Sequence, residues 1–109
     1  IKKSNALAKK YLSEANKHLN NKEPFYVALE KAMHNFLKAK LNIETSEMSK
    51  EKITEILLSR KGNPVTVAEF IKLTENCEFA RYAPSTEASI QQDYDKAVRI
   101  ISDLAKQIS

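Results

Sequence analysis

Glycine is almost missing from this chain of 109 residues: Gly62 stands alone, there are three prolines, and no Asn-Gly or Asp-Gly pair occurs. A sandwich or barrel needs turn residues every ten or so positions, so an all-β fold is excluded and alternating βαβ units are disfavoured. Cysteine is equally scarce. Cys77 has no second thiol to pair with, which argues against a small disulfide-stapled secreted scaffold and fits a reducing compartment. No apolar run approaches the roughly 18 residues of a membrane span, and no signal-peptide pattern opens the chain. One glycine also leaves no material for a glycine-rich phosphate loop.

What remains is an ordinary globular composition, 42% hydrophobic and 29% charged, too apolar for disorder and too polar for a membrane-embedded chain. At 12.4 kDa the expectation is a single helical domain over residues 1–109, hiding roughly two thirds of the unfolded chain's surface. A start at Ile1 rather than Met leads us to expect a piece of a longer protein, with a membrane segment or second domain upstream.

Charge is distributed unevenly. Residues 1–22 carry six lysines against Glu14 alone, residues 23–61 are close to balance, and residues 62–109 carry five bases against seven acids, within an overall charge of +4. The basicity therefore belongs to the first helix, whereas a nucleic-acid footprint would spread over the domain surface. Lys2, Lys3, Lys9 and Lys10 read as a solvated helix face, or as the basic cytoplasmic flank of a membrane anchor. Nucleic acid is the weaker partner because clustered arginine and accessible aromatics are lacking and Tyr11 is spaced as a core residue.

Hydrophobic period predicts five helices packed as a compact all-α bundle with short connections. The first runs from about Ser4 to Asn20, with Leu7, Tyr11, Leu12, Ala15 and Leu19 inward and Lys9, Lys10, Glu14 and Lys17 outward. Pro24, tolerated in a first turn, opens the second, whose stripe is Phe25, Leu29, Ala32, Met33, Phe36, Leu37 and Leu41. Ser49 caps a short third helix, with Met48 and Ile53 as a hydrophobic staple and Ile56 and Leu57 inward. Gly62, expected in the left-handed conformation, ends it before Asn63-Pro64. Thr66-Val67-Ala68-Glu69 reads as a capping box with Val65 and Phe70 as a staple, opening a fourth helix that buries Phe70, Leu73, Cys77 and Ala80. Pro84 disfavours helix at Ala83. The last helix, from Ser85 or Thr86, carries Ile90, Tyr94, Ala97, Val98, Ile101, Leu104, Ala105 and Ile108.

Catalytic signals are weak. His18 and His34 lack any His-Glu-x-x-His spacing, so no metal site is written and no cofactor is expected. Cys77 sits on an apolar face, where burial disfavours its thiolate. The unusual local string is Cys77-Glu78-Phe79-Ala80-Arg81-Tyr82-Ala83-Pro84. Glu78 and Arg81 lie three apart and can pair, and Arg81 in the last turn meets the negative end of the helix dipole. From local chemistry that structural role is favoured. The alternative is that Arg81 and Tyr82 form an interface anchor on a corner stiffened by Pro84.

That string, together with Phe25-Tyr26, Leu29, Ala32, Phe36-Leu37 and Lys40-Leu41-Asn42-Ile43, resembles the C-terminal cytoplasmic domain of the BatD family, the Bacteroides aerotolerance proteins. The likeness extends over nearly the whole chain, and the Cys77 to Pro84 run is its most specific part. It implies a bacterial inner-membrane protein with periplasmic β-rich domains, a transmembrane helix, and this helical domain on the cytoplasmic face. It further implies work alongside MoxR-type AAA ATPases and von Willebrand factor A domain proteins in oxygen or stress tolerance, and no catalytic residues. The expectation is a non-enzymatic protein-interaction domain with a docking patch at Glu78, Arg81, Tyr82 and Pro84. The alternative is a basic module binding nucleic acid or anionic lipid through the first helix.

Overall fold

The computed structural model describes residues 2–45, 47–80 and 87–108, with side chains described from residue 7 onward except at 87 and 88. The described chain is all-α, running α1 (Lys2–Tyr11), α2 (Ser13–Asn16), α3 (Lys22–Leu41), α4 (Lys50–Ser59), α5 (Pro64–Ala80) and α6 (Glu87–Gln107). The first expected helix is thus two. Leu12 leaves helical geometry (φ −93°, ψ 8°), although its N–H still donates to Ala8 O at 3.0 Å and its carbonyl accepts from Asn16 N–H at 2.9 Å. Beyond it the chain winds tighter, with Lys17 donating to Glu14 O and His18 to Ala15 O. Asn16, Asn20 and Asn21 populate this stretch, and asparagine competes poorly for helix interior.

Asn21, extended at φ −139°, precedes α3, and Phe25 N–H reaches Asn21 O at 3.1 Å. Pro24 falls in the first turn, where a missing N–H costs nothing. The helix ends on Asn42 in the left-handed region (φ 58°), whose N–H closes on Lys38 O at 2.8 Å. Asparagine is among the few residues that tolerate this conformation. At the start of α4 the Ser49 hydroxyl accepts from Lys52 N–H, as the sequence predicts.

The turn between α4 and α5 departs from expectation twice. The left-handed residue is Lys61 (φ 74°), while Gly62 has no positive φ. Gly62 N–H donates to Leu57 O at 2.9 Å and Lys61 N–H to Leu58 O at 3.2 Å, the paired bonds of a Schellman ending. Glycine is needed there for room: a Cβ on Gly62 would lie 2.8 Å from Leu57 O and 2.8 Å from Val67 Cγ2. The capping box also gives way. Asn63 caps α5, its side-chain oxygen accepting from Val65 N–H at 2.8 Å and its carbonyl from Val67 N–H, with Pro64 in the first helical position. Thr66, freed from capping, is buried and accepts from Gln107 Nε2 of α6 at 3.1 Å. The same Gln107 accepts from Asn63 N–H through Oε1 at 2.7 Å. Asn-Pro wins because proline's fixed φ suits the first helical position, which sets the cap three residues earlier than Thr66 would.

α3 lies at the centre, packed against α1, α2, α5 and α6, while α4 sits on α5 and the N-terminal α1 closes on the C-terminal α6. The whole expected α3 stripe is buried, joined by Tyr26 and Ala28, and it meets Phe70, Leu73 and Cys77 of α5 and Ile90, Ala97, Ile100, Ile101 and Leu104 of α6 in one core. Tyr11 edges onto Phe36 with ring centroids 5.6 Å apart. Among the described side chains of α1, α2 and the Leu12 between them, Ala8, Leu12 and Ala15 are buried. The radius of gyration is 13.0 Å, matching the roughly 13 Å of a folded chain this long.

Candidate functional site

The sequence places its candidate patch at the C-terminal end of α5. Cys77 there is fully buried and Ala80 is partly buried against the core, both on the inward side that their spacing predicts. Glu78 faces outward. Its partner is Lys50 of α4, whose Nζ donates to Glu78 Oε1 at 2.9 Å. The hydrogen bond to Glu78 holds the Lys50 ammonium above its ordinary range, against the opposing effect of burial. Exposed ion pairs of this kind contribute from about nothing to about 1 kcal/mol. Arg81, Tyr82 and Pro84 lie outside the described residues, and so does any pairing of Glu78 with Arg81.

Phe79, the position passed over between Glu78 and Ala80, is the most exposed large apolar side chain described, at 74%. It borders an open depression of about 710 Å³ whose other walls are Lys50, Lys72, Glu75, Asn76 and Glu78. The periodic signal was available, since Phe79 falls off the Phe70, Leu73, Cys77 stripe by half a turn. A three-quarters exposed phenylalanine on a charged rim suits contact with another macromolecule better than enclosure of a small molecule, because ligand sites bury most of their occupant.

The basic N-terminal stretch is split between what the structure describes and what it does not. Lys9 and Lys10 are exposed on the last turn of α1, where cations face the negative helix end. The backbone of Lys2 and Lys3 belongs to α1, and their side chains lie outside the described set. Glu14 meets Lys17 at 3.5 Å and His18 at 3.4 Å, so the outward face of this region is not purely cationic.

Groups with chemical potential elsewhere are engaged in structural contacts. His34 Nδ1 lies 2.8 Å from the buried Thr45 hydroxyl, tying the loop after α3 back to that helix. Tyr26 O–H donates to Asp93 Oδ2 at 2.5 Å, joining α3 to α6. Burial, and then the Asp93 hydrogen bond, hold the Tyr26 phenol well above the ordinary tyrosine range. Arg99 of α6 grips Glu69 of α5 with both guanidinium nitrogens, at 3.2 and 2.8 Å, which holds the Glu69 carboxyl below its usual range. Among the described residues no three His, Cys, Asp or Glu side chains gather where they could hold a metal ion. No helix among them is long and apolar enough to cross a membrane.

Comparison with family models, with curated proteins and with solved structures finds no match to this chain.

Proposed function

We propose that this chain is a non-enzymatic protein-interaction domain, the cytoplasmic helical part of a BatD-like inner-membrane protein. Its partners in this reading are MoxR-type AAA ATPases and von Willebrand factor A domain proteins acting in oxygen or stress tolerance. The observation that carries the reading is Phe79, 74% exposed within the string from Cys77 to Pro84 on which the resemblance to BatD proteins rests. Aromatic and arginine side chains anchor protein interfaces, and Phe79 adds an apolar contact beside Glu78 in the stretch leading to Arg81, Tyr82 and Pro84. The Lys50–Glu78 bridge, 2.9 Å long, links the rim of that patch to α4.

The test is titration of the immobilised chain with the purified MoxR-type ATPase and the purified von Willebrand factor A protein of the same host. Saturable binding of either, weakened about tenfold or more by Phe79→Ala or Arg81→Ala as expected for an interface anchor, supports docking at the patch. Binding that both variants leave unchanged, in chains whose circular dichroism is native, moves docking to another face. If neither protein binds at concentrations up to about 1 mM, the weak end of specific association, the proposal is overturned.

A further inference from the structure

The outward face of α5 is complementary to itself when read backwards. At 100° per residue, Ala68, Lys72, Glu75 and Phe79 fall within an arc of about 60°, and all four are exposed. That arc lies opposite Phe70, Leu73 and Cys77, which face the core. The order along it is small, positive, negative, large, at spacings of four, three and four. Reversed, the order becomes large, negative, positive, small, so each position meets its complement.

We propose that this face is a self-association surface on which α5 packs antiparallel against α5 of a second copy of the chain. The two-fold axis passes midway between residues 73 and 74. Phe79 then sits over Ala68 of the second copy, a large side chain entering the space left by a small one, and Lys72 faces Glu75 of the second copy. Symmetry repeats both contacts, as an isologous interface requires. Exposure of Phe79 does not by itself say what covers it. What selects a second copy is the order of the charges: in the antiparallel register that seats Phe79 on Ala68, both lysines meet glutamates and neither meets its own kind. The depression beside Phe79 is lined by Lys72 and Glu75 of this face together with Asn76, Glu78 and Lys50 at its edges. The eleven helical steps from Ala68 to Phe79 span about 16 Å, which places the contact among weak interfaces of less than about 1,200 Å².

Sedimentation equilibrium of the chain over about 10 μM to 1 mM, the range a contact of this size calls for, tests the proposal. The expected result is a monomer–dimer equilibrium that Lys72→Glu and Glu75→Lys each weaken by about tenfold or more, since two attractive pairs become two repulsive ones. An equimolar mixture of the two single variants, and the double variant Lys72→Glu/Glu75→Lys, are expected to recover the wild-type association. Phe79→Ala weakens it as well, whereas Lys31→Glu, the same charge change on exposed α3 surface, does not. Circular dichroism establishes that each variant remains folded. A monomer throughout the range, association that survives both single reversals, or failure of the mixture to recover it overturns the proposal. Phe79 belongs both to this face and to the patch proposed for docking, so its variant does not separate the two; Lys72 and Glu75 are not docking-patch residues, and their reversal, with its rescue by mixing, reads self-association independently of the partner titration.

Discussion

α3 and α5 carry similar apolar loads and use them differently. In α3, Phe25, Tyr26, Ala28, Leu29, Ala32, Met33, Phe36, Leu37 and Leu41 are buried, and Val27 alone among its large apolar side chains is substantially exposed. In α5 the inward residues Val67, Phe70, Leu73 and Cys77 are balanced by Val65 and Phe79, exposed by 69% and 74%. The central helix is apolar because neighbours surround it. The outer side of α5 instead mixes Val65 and Phe79 with the exposed charges of Lys72, Glu75 and Glu78, and these two exposed apolar side chains contribute little to holding this chain folded. Apolar residues in the two helices therefore answer to different forces, and substitutions separate them.

The sharpest separation is between two phenylalanines. Phe36→Ala, which removes a ring at 1% exposure, is expected to cost about 3–5 kcal/mol in urea unfolding, a large part of the whole stability of a small domain. Phe79→Ala should fall within about 0.5 kcal/mol of wild type. Similar costs for the two would erase the distinction between the inner and outer faces.

Another effect lies where α4 turns into α5. Gly62→Ala forces a Cβ to within 2.8 Å of Leu57 O, and about 1–3 kcal/mol of destabilisation is expected. Lys61→Gly should do the reverse, because it relieves a left-handed lysine at φ 74° and gains up to about 1 kcal/mol. Thermal melts of the pair read both signs. If Gly62→Ala were neutral and Lys61→Gly destabilising, glycine's role here would be something other than room.

Tyr26→Phe leaves the ring but removes the bond to Asp93, and about 1.5–3 kcal/mol is expected for a hydrogen bond to a charged group. Because the folded phenol ionises above its unfolded value, its contribution is complete below the ordinary tyrosine range and is lost as pH rises through and beyond it. Wild-type stability should therefore fall at alkaline pH more steeply than that of the variant, as measured by unfolding curves across pH 8 to 11, a range bracketing the unperturbed value of about 10.

Arg99→Ala is expected to cost about 0.5–1 kcal/mol, for a two-pronged but half-exposed pair with Glu69. The Glu69 carboxyl is held low in the folded chain, so the pair contributes fully at neutral pH and fades as pH falls through the carboxylate range. The variant should show a flatter acid limb and less dependence on salt.

The helices were legible because they are local. Every inward residue expected on α3 is buried, Ser49 caps α4, and Cys77 points inward, since the 3.6-residue period and side-chain capping require only neighbours along the chain. Local reading erred where two local signals competed. The sequence reading takes Asn63-Pro64 as the stop of α4 and Thr66 through Glu69 as the start of α5, whereas the same Asn63-Pro64 pair also opens α5, with proline at the first helical position. Of the candidate patch, Glu78 was legible as an outward charge, but its partner was not, because Lys50 stands 28 residues away.

All-α architecture, the five-stripe pattern and the identity of most core residues follow from the sequence alone, because scarce glycine forbids tight turns and periodic apolar side chains select helix before any tertiary contact forms. Tertiary structure alone decided which polar groups meet. Tyr26 finds Asp93 across 67 residues, Thr66 finds Gln107 across 41, and Glu69 finds Arg99 across 30. It also decided that Ile100 is covered while Phe79 is not. A helical period tells which side chains share a face, but only the stacking of one helix on another tells whether that face is covered, and by what.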